Sequence, residues 1–89
     1  MINSNYEIVS ASISADGKVV YSIFREEITI DYDSAFTYGI AASDIHNINH
    51  VRDISTDILI AERIRDMLIK KSIKPENVFS FIQINFSEI

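Results

Sequence analysis

The sequence predicts an α+β domain: an antiparallel meander of three to four strands, with one long amphipathic helix and a short C-terminal helix packed on one face. Three observations predict it. The first half alternates apolar and polar residues with a period of two, as half-buried strands do. An Asp16-Gly17 pair separates two such runs, a strong short hairpin signal. From Ile58 onward the apolar residues recur every three to four positions, the spacing of an amphipathic helix. All residues, 1–89, form a single domain near the lower end of the size that folds unaided. With 47% hydrophobic residues the chain can still bury a core.

The first strand runs from Glu7 to Ala15, with Val9, Ala11, Ile13 and Ala15 on one face and Ser10, Ser12 and Ser14 on a wet outer face. The second runs from about Lys18 to Ile30. It sets Val20, Phe24, Ile28 and Ile30 toward the core and Tyr21, Ile23 and Arg25 on the opposite side. Its length predicts a bulge or bend near Arg25-Glu26. Asp31-Tyr32-Asp33-Ser34 reads as a turn, because such side chains bond their own backbone. A third strand from Ala35 to Ala42 turns Phe36, Tyr38, Ile40 and Ala42 inward, and Gly39 opposite them marks a bulge or a close backbone approach. In residues 43–53, Ile45, Ile48 and Val51 fit either a short helical turn or an irregular return; the favoured reading is a loop followed by a short fourth strand, Val51 to Ile54.

Ser55-Thr56-Asp57 then supplies helix-starting residues. The helix to about Ser72 buries Ile60, Ile64, Met67 and Leu68, and Ile58 and Leu59 widen that stripe. Pro75 and Glu76 open a last element. Its run from Val78 to Phe86 fits both a helix and a strand, and the Pro-Glu start favours the helix.

Composition excludes more than it names. Thirteen acidic against eight basic residues give a net charge of −5, the wrong sign for a domain that holds phosphate by displacing counterions. The reading is therefore no direct nucleic-acid binding, and a protein partner, basic if charge selects it. Without cysteine there is no disulfide, thiolate metal site or cysteine nucleophile. That fits a cytoplasmic protein. The start Met1-Ile2-Asn3-Ser4-Asn5-Tyr6-Glu7 lacks a signal-peptide pattern, and no run reaches the ~18 apolar residues of a membrane span.

Three clusters bear on chemistry. Asp44, His46, His50 and Asp53 would share an ion only if the segment were helical; extended, the imidazoles stand roughly 13 Å apart. Surface histidines are the preferred reading, with no metal and no cofactor. Glu26, Glu27, Asp31 and Asp33 put four carboxylates within eight residues, yet Glu26 and Glu27 point to opposite strand faces and cannot share a substrate. Glu26 falls among apolar residues and needs either a partner, with Tyr38 one candidate, or a way to water at a bent edge. Lys70, Lys71 and Lys74 suit a helix C-terminus. No serine–histidine arrangement and, with two glycines in all, no phosphate-cradling loop is present, so the chain reads as a non-enzyme.

The Tyr-x-Ile-x-x-Glu strand from Tyr21 to Glu26, Tyr38-Gly39-Ile40, Asp53-Ile54-Ser55 before a helix, and Pro75 opening a last one resemble a small family of uncharacterised bacterial proteins of clostridial type. The likeness spans about Lys18 to Ile84 and departs at Lys74, where a small capping residue is expected. It implies the final helix and nothing about chemistry.

The functional expectation is a small acidic protein-binding module, regulatory or inhibitory, in a bacterial or phage setting, with a homodimer as one assembly. Its docking surface is the outer face and acidic turn of the second hairpin: Tyr21, Ile23, Glu27, Asp31, Tyr32 and Asp33. Two alternatives stand beside it. One is an inhibitor whose carboxylates mimic nucleic-acid phosphate toward a defence nuclease of the CRISPR or restriction type. The other is a small-molecule or metal sensor using His46 and His50.

Overall fold

The computed structural model describes residues 6–86, apart from the side chain of Ile30. The readings of the Met1–Asn5 segment and of the Ile30 side chain lie outside the described residues. Four strands come first: β1 (Tyr6–Ile13), β2 (Val20–Ile30), β3 (Asp33–Ser43) and β4 (Ile48–Ser55). Helix α1 (Ile58–Lys70) follows, and a single 3-10 turn at Pro75–Asn77 leads into α2 (Val78–Phe86). The strands form one antiparallel sheet in the order β1-β2-β3-β4, with both helices on one face.

The core lies between that face and the helices. Tyr21 and Ile23 of β2 and Ile40 and Ala42 of β3 meet Ala61, Ile64 and Leu68 of α1 and Val78 and Ile82 of α2. Burying each large aliphatic side chain here is worth about 1.5–3 kcal/mol. The Tyr21 hydroxyl donates to the Ile73 carbonyl, so its polar end is satisfied at the helix side.

This inverts the expected faces of β2. Tyr21 and Ile23 are wholly buried under α1, while Phe24 and Ile28 lie on the open side. The reason is the turn. Ile30 pairs with Asp33, so only Asp31 and Tyr32 connect β2 to β3. That register sets Ile23 opposite Ile40 and Tyr21 opposite Ala42, and residues directly opposite share a face. A shift of one residue would have brought the Phe24 side inward instead. The same logic turns over β1, where Ser12 pairs with Tyr21 and Ser10 with Ile23, placing the serines on the helix side. Ala11 and Ile13 lie on the open side.

The bulge expected at Arg25-Glu26 is elsewhere, because β2 pairs with β3 without interruption. One irregularity falls in β1 between Ile8 and Ser10, and a larger one in β4, where Val51 pairs with Ile40 and Ser55 with Tyr38. Half of the loop expected over residues 43–50 is strand, since β3 runs to Ser43 and β4 begins at Ile48. Asp44 accepts hydrogen bonds from the backbone N–H of His46 (2.8 Å) and Asn47 (2.7 Å), making a tight turn that lets β4 begin at Ile48. Helix α1 starts where Asp57 caps the Leu59 N–H at 2.9 Å. Its buried stripe is Ala61, Ile64 and Leu68, so Leu59 faces solvent rather than widening it. Residues 78–86 take the helical template, burying Val78 and Ile82.

Candidate functional site

Two surfaces stand out: a projecting arm and the open sheet face. The arm is the distal part of the β2–β3 hairpin. The described part of β1 pairs with β2 no further than Glu26, and β4 pairs with β3 no further than Tyr38. Among the described residues, 27–36 therefore pair only with one another. At the tip Asp31 (φ 51°) and Tyr32 (φ 71°) are both left-handed, the backbone of a two-residue hairpin turn that normally takes Asn-Gly. For tyrosine this conformation is rare and costs energy. The Tyr32 side chain is fully exposed, at 101%. Asp31 and Asp33 beside it and Glu27 farther down the arm are exposed, and residues 27–36 contain no basic residue. At the arm's base Arg25 lies 4.1 Å over the Phe36 ring and bonds Glu7 at 2.7 Å. The Glu7 carboxylate holds the guanidinium pKa above its ordinary value.

Of the six residues expected to form the docking surface, four, Glu27, Asp31, Tyr32 and Asp33, share this arm. Tyr21 and Ile23 do not. They are core side chains, sealed beneath α1 by the register just described.

The open face carries a polar cluster next to an aromatic one. Glu26, 9% exposed, receives two hydrogen bonds from Arg52 of β4: Nε to Oε1 at 2.9 Å and Nη2 to Oε2 at 2.7 Å. The carboxylate thus has the partner that burial demands, and that partner is Arg52 rather than Tyr38. The bonds to Glu26 hold the Arg52 pKa above its ordinary value. Beside it the Thr37 hydroxyl donates to Asp53 at 2.6 Å, and Asp53 sits at φ 55° inside the β4 irregularity. Nothing in the sequence pattern singles out Arg52; a near-buried carboxylate in a strand is the one signal that some cation must face it.

Phe24 occupies the middle of the face and is 1% exposed. It lies over Gly39, with Tyr6 at 4.6 Å and His50 at 6.1 Å between ring centroids. His50 therefore packs on an aromatic ring, while His46 sits in the Asp44 turn. Among the described residues no group of three or more His, Cys, Asp and Glu side chains is placed to hold a metal ion. Lys70 stands in the last turn of α1 and Lys71 caps it, where positive charge complements the helix dipole. Among the described residues no helix is long and apolar enough to cross a membrane.

No protein-family model, curated protein or solved structure matches the chain.

Proposed function

We propose that this chain is a non-enzymatic protein-binding module that offers the acidic β2–β3 arm to a basic partner. The observation that carries the reading is Tyr32, a fully exposed aromatic held on left-handed backbone at the end of the arm. Tyrosine is a residue type that anchors interfaces, and backbone strain of this kind concentrates where a chain meets a ligand. Asp31 and Asp33 flank it and Glu27 stands farther down the arm, negative charge that steers a positively charged surface. The non-enzymatic part rests on the sequence, which offers no serine–histidine arrangement and no cysteine nucleophile.

Phosphate mimicry gains less from the same arm. Glu27 pairs with Phe36 on the helix-side face, whereas Asp33 belongs to the opposite face, so these carboxylates do not form one row.

The test compares immobilised wild type with a Glu27→Gln/Asp31→Asn/Asp33→Asn variant and with Tyr32→Ala. Asparagine tolerates the left-handed region, so the turn survives the exchange. A specifically retained protein is expected on wild type at low ionic strength and to be released by salt. Its affinity for either variant is expected to fall about tenfold or more, the equivalent of ~1.4 kcal/mol. Equal retention by wild type and both variants would sink the reading.

A further inference from the structure

We infer that the sheet face opposite the helices is covered by a second copy of this chain. The grounds are separate from the arm, and the first is an inverted polarity. An antiparallel sheet with one wet face turns its polar residues outward. Here β1 does the reverse. Ser10 faces the helix layer and accepts a hydrogen bond from Arg65 of α1 at 3.0 Å. On the open side Tyr6, Ile8 and Ile13 stand 48%, 51% and 62% exposed, and Ile48 of β4 is 75% exposed.

The area suffices. Four strands about 4.8 Å apart, with about eight residues each at ~3.3 Å, give a footprint of roughly 500 Å² per copy. Two copies then bury about 1,000 Å² in total, the size of a weak, reversible interface.

The chain carries −5 overall, and the arm's carboxylates repel their own kind. On the open face below the arm the Glu26 carboxylate is paired with Arg52, and Asp53 accepts a hydrogen bond from the neutral Thr37 hydroxyl. Two acidic molecules therefore meet with less repulsion across this part of the face than through their arms.

The face is also self-complementary about a two-fold axis along the strands, which lays β1 of one copy over β4 of the other. Ile13, Val20, Ser43 and Ile48 form one row across the sheet. The axis thus sets Ile13 against Ile48 of the second copy. At the other end it sets Tyr6 near Arg52 of the second copy, a ring and a guanidinium suited to stack.

Sedimentation of the full chain across a wide concentration range tests this. Wild type is expected to move reversibly toward twice the monomer mass. Ile13→Lys and Ile48→Lys are each expected to weaken the dimer about tenfold or more, with helical signal and Tm retained because both side chains are mostly exposed. Tyr32→Ala on the arm and Phe79→Lys on α2 are expected to leave it intact. Should a lysine variant unfold, a half-labelled sample decides instead, through nuclear Overhauser contacts between Ile13 of one copy and Ile48 of the other. A monomer at millimolar concentration, a dimer indifferent to both lysines, or one dissociated by Phe79→Lys would overturn the inference.

Discussion

Gly39 shows how one atom can decide a position. A Cβ built there would lie 2.5 Å from Phe24 Cζ and 2.5 Å from the Val51 carbonyl oxygen. The ring has some room to move, but the oxygen belongs to the β4 backbone at its irregularity. Gly39→Ala is therefore expected to cost about 1–3 kcal/mol, as overpacking does. In a domain this small each kcal/mol lowers Tm by about 4–8 °C, which thermal unfolding reads directly. An unchanged Tm would mean the strands can separate there freely. A close approach at Gly39 is legible from sequence, because a glycine inside an alternating strand marks either a bulge or a neighbour pressed against its backbone. Glu26 is legible as a problem but not as a solution. Its partner stands 26 residues away on a strand whose position depends on the β3–β4 register. Arg52→Ala is expected to lower the urea midpoint by stranding Glu26. Adding Glu26→Gln to it is expected to restore part of the loss, since a buried amide is cheaper to leave unpaired than a carboxylate. A double variant less stable than Arg52→Ala would contradict that account.

At the scale of elements, turns carry most of the information. Asp16-Gly17 is readable as a hairpin signal, and Gly17 does take φ 75° there. The connection is nevertheless a loop of six residues, 14–19, closed by the Ser14 N–H on the Val19 carbonyl at 2.8 Å. The β2–β3 turn reads in sequence as four residues where two suffice; both lengths are even, so either one sets Ile23 on the face of Ile40 and Ala42. Periodicity does not resolve such a case when both faces of β2 are apolar; whether the turn holds an even or an odd number of residues fixes which face meets Ile40. The loops at the other end of the sheet respond to acid. The Ser14 hydroxyl, followed by the Lys18 N–H, holds the Asp16 carboxyl below its ordinary value. The N–H groups of His46 and Asn47 do the same for Asp44. Groups lowered by folding stabilise the fold above the ordinary value of 3.8, and that contribution is lost as pH falls below it. Urea midpoints are thus expected to drop on acidification below about pH 4, and to drop less in an Asp16→Asn/Asp44→Asn variant. Identical slopes for variant and wild type would place the acid response elsewhere.

The whole molecule measures 44 × 29 × 19 Å, and the short dimension is that of a sheet with a single layer of helices. The arm lies at one end of the strands and the acid-sensitive loops at the other. In the dimer inferred above, the axis along the strands sets both arms at the same end. The order of elements has a consequence for how such a chain is born. All four strands precede both helices, so the meander leaves the ribosome complete while Tyr21, Ile23 and Ile40 still lack their cover. The last third of the chain must emerge before that face closes. Until then a nascent chain shows apolar side chains on both sides of its sheet, the condition in which chaperone binding or pairing with a neighbouring nascent chain competes with folding.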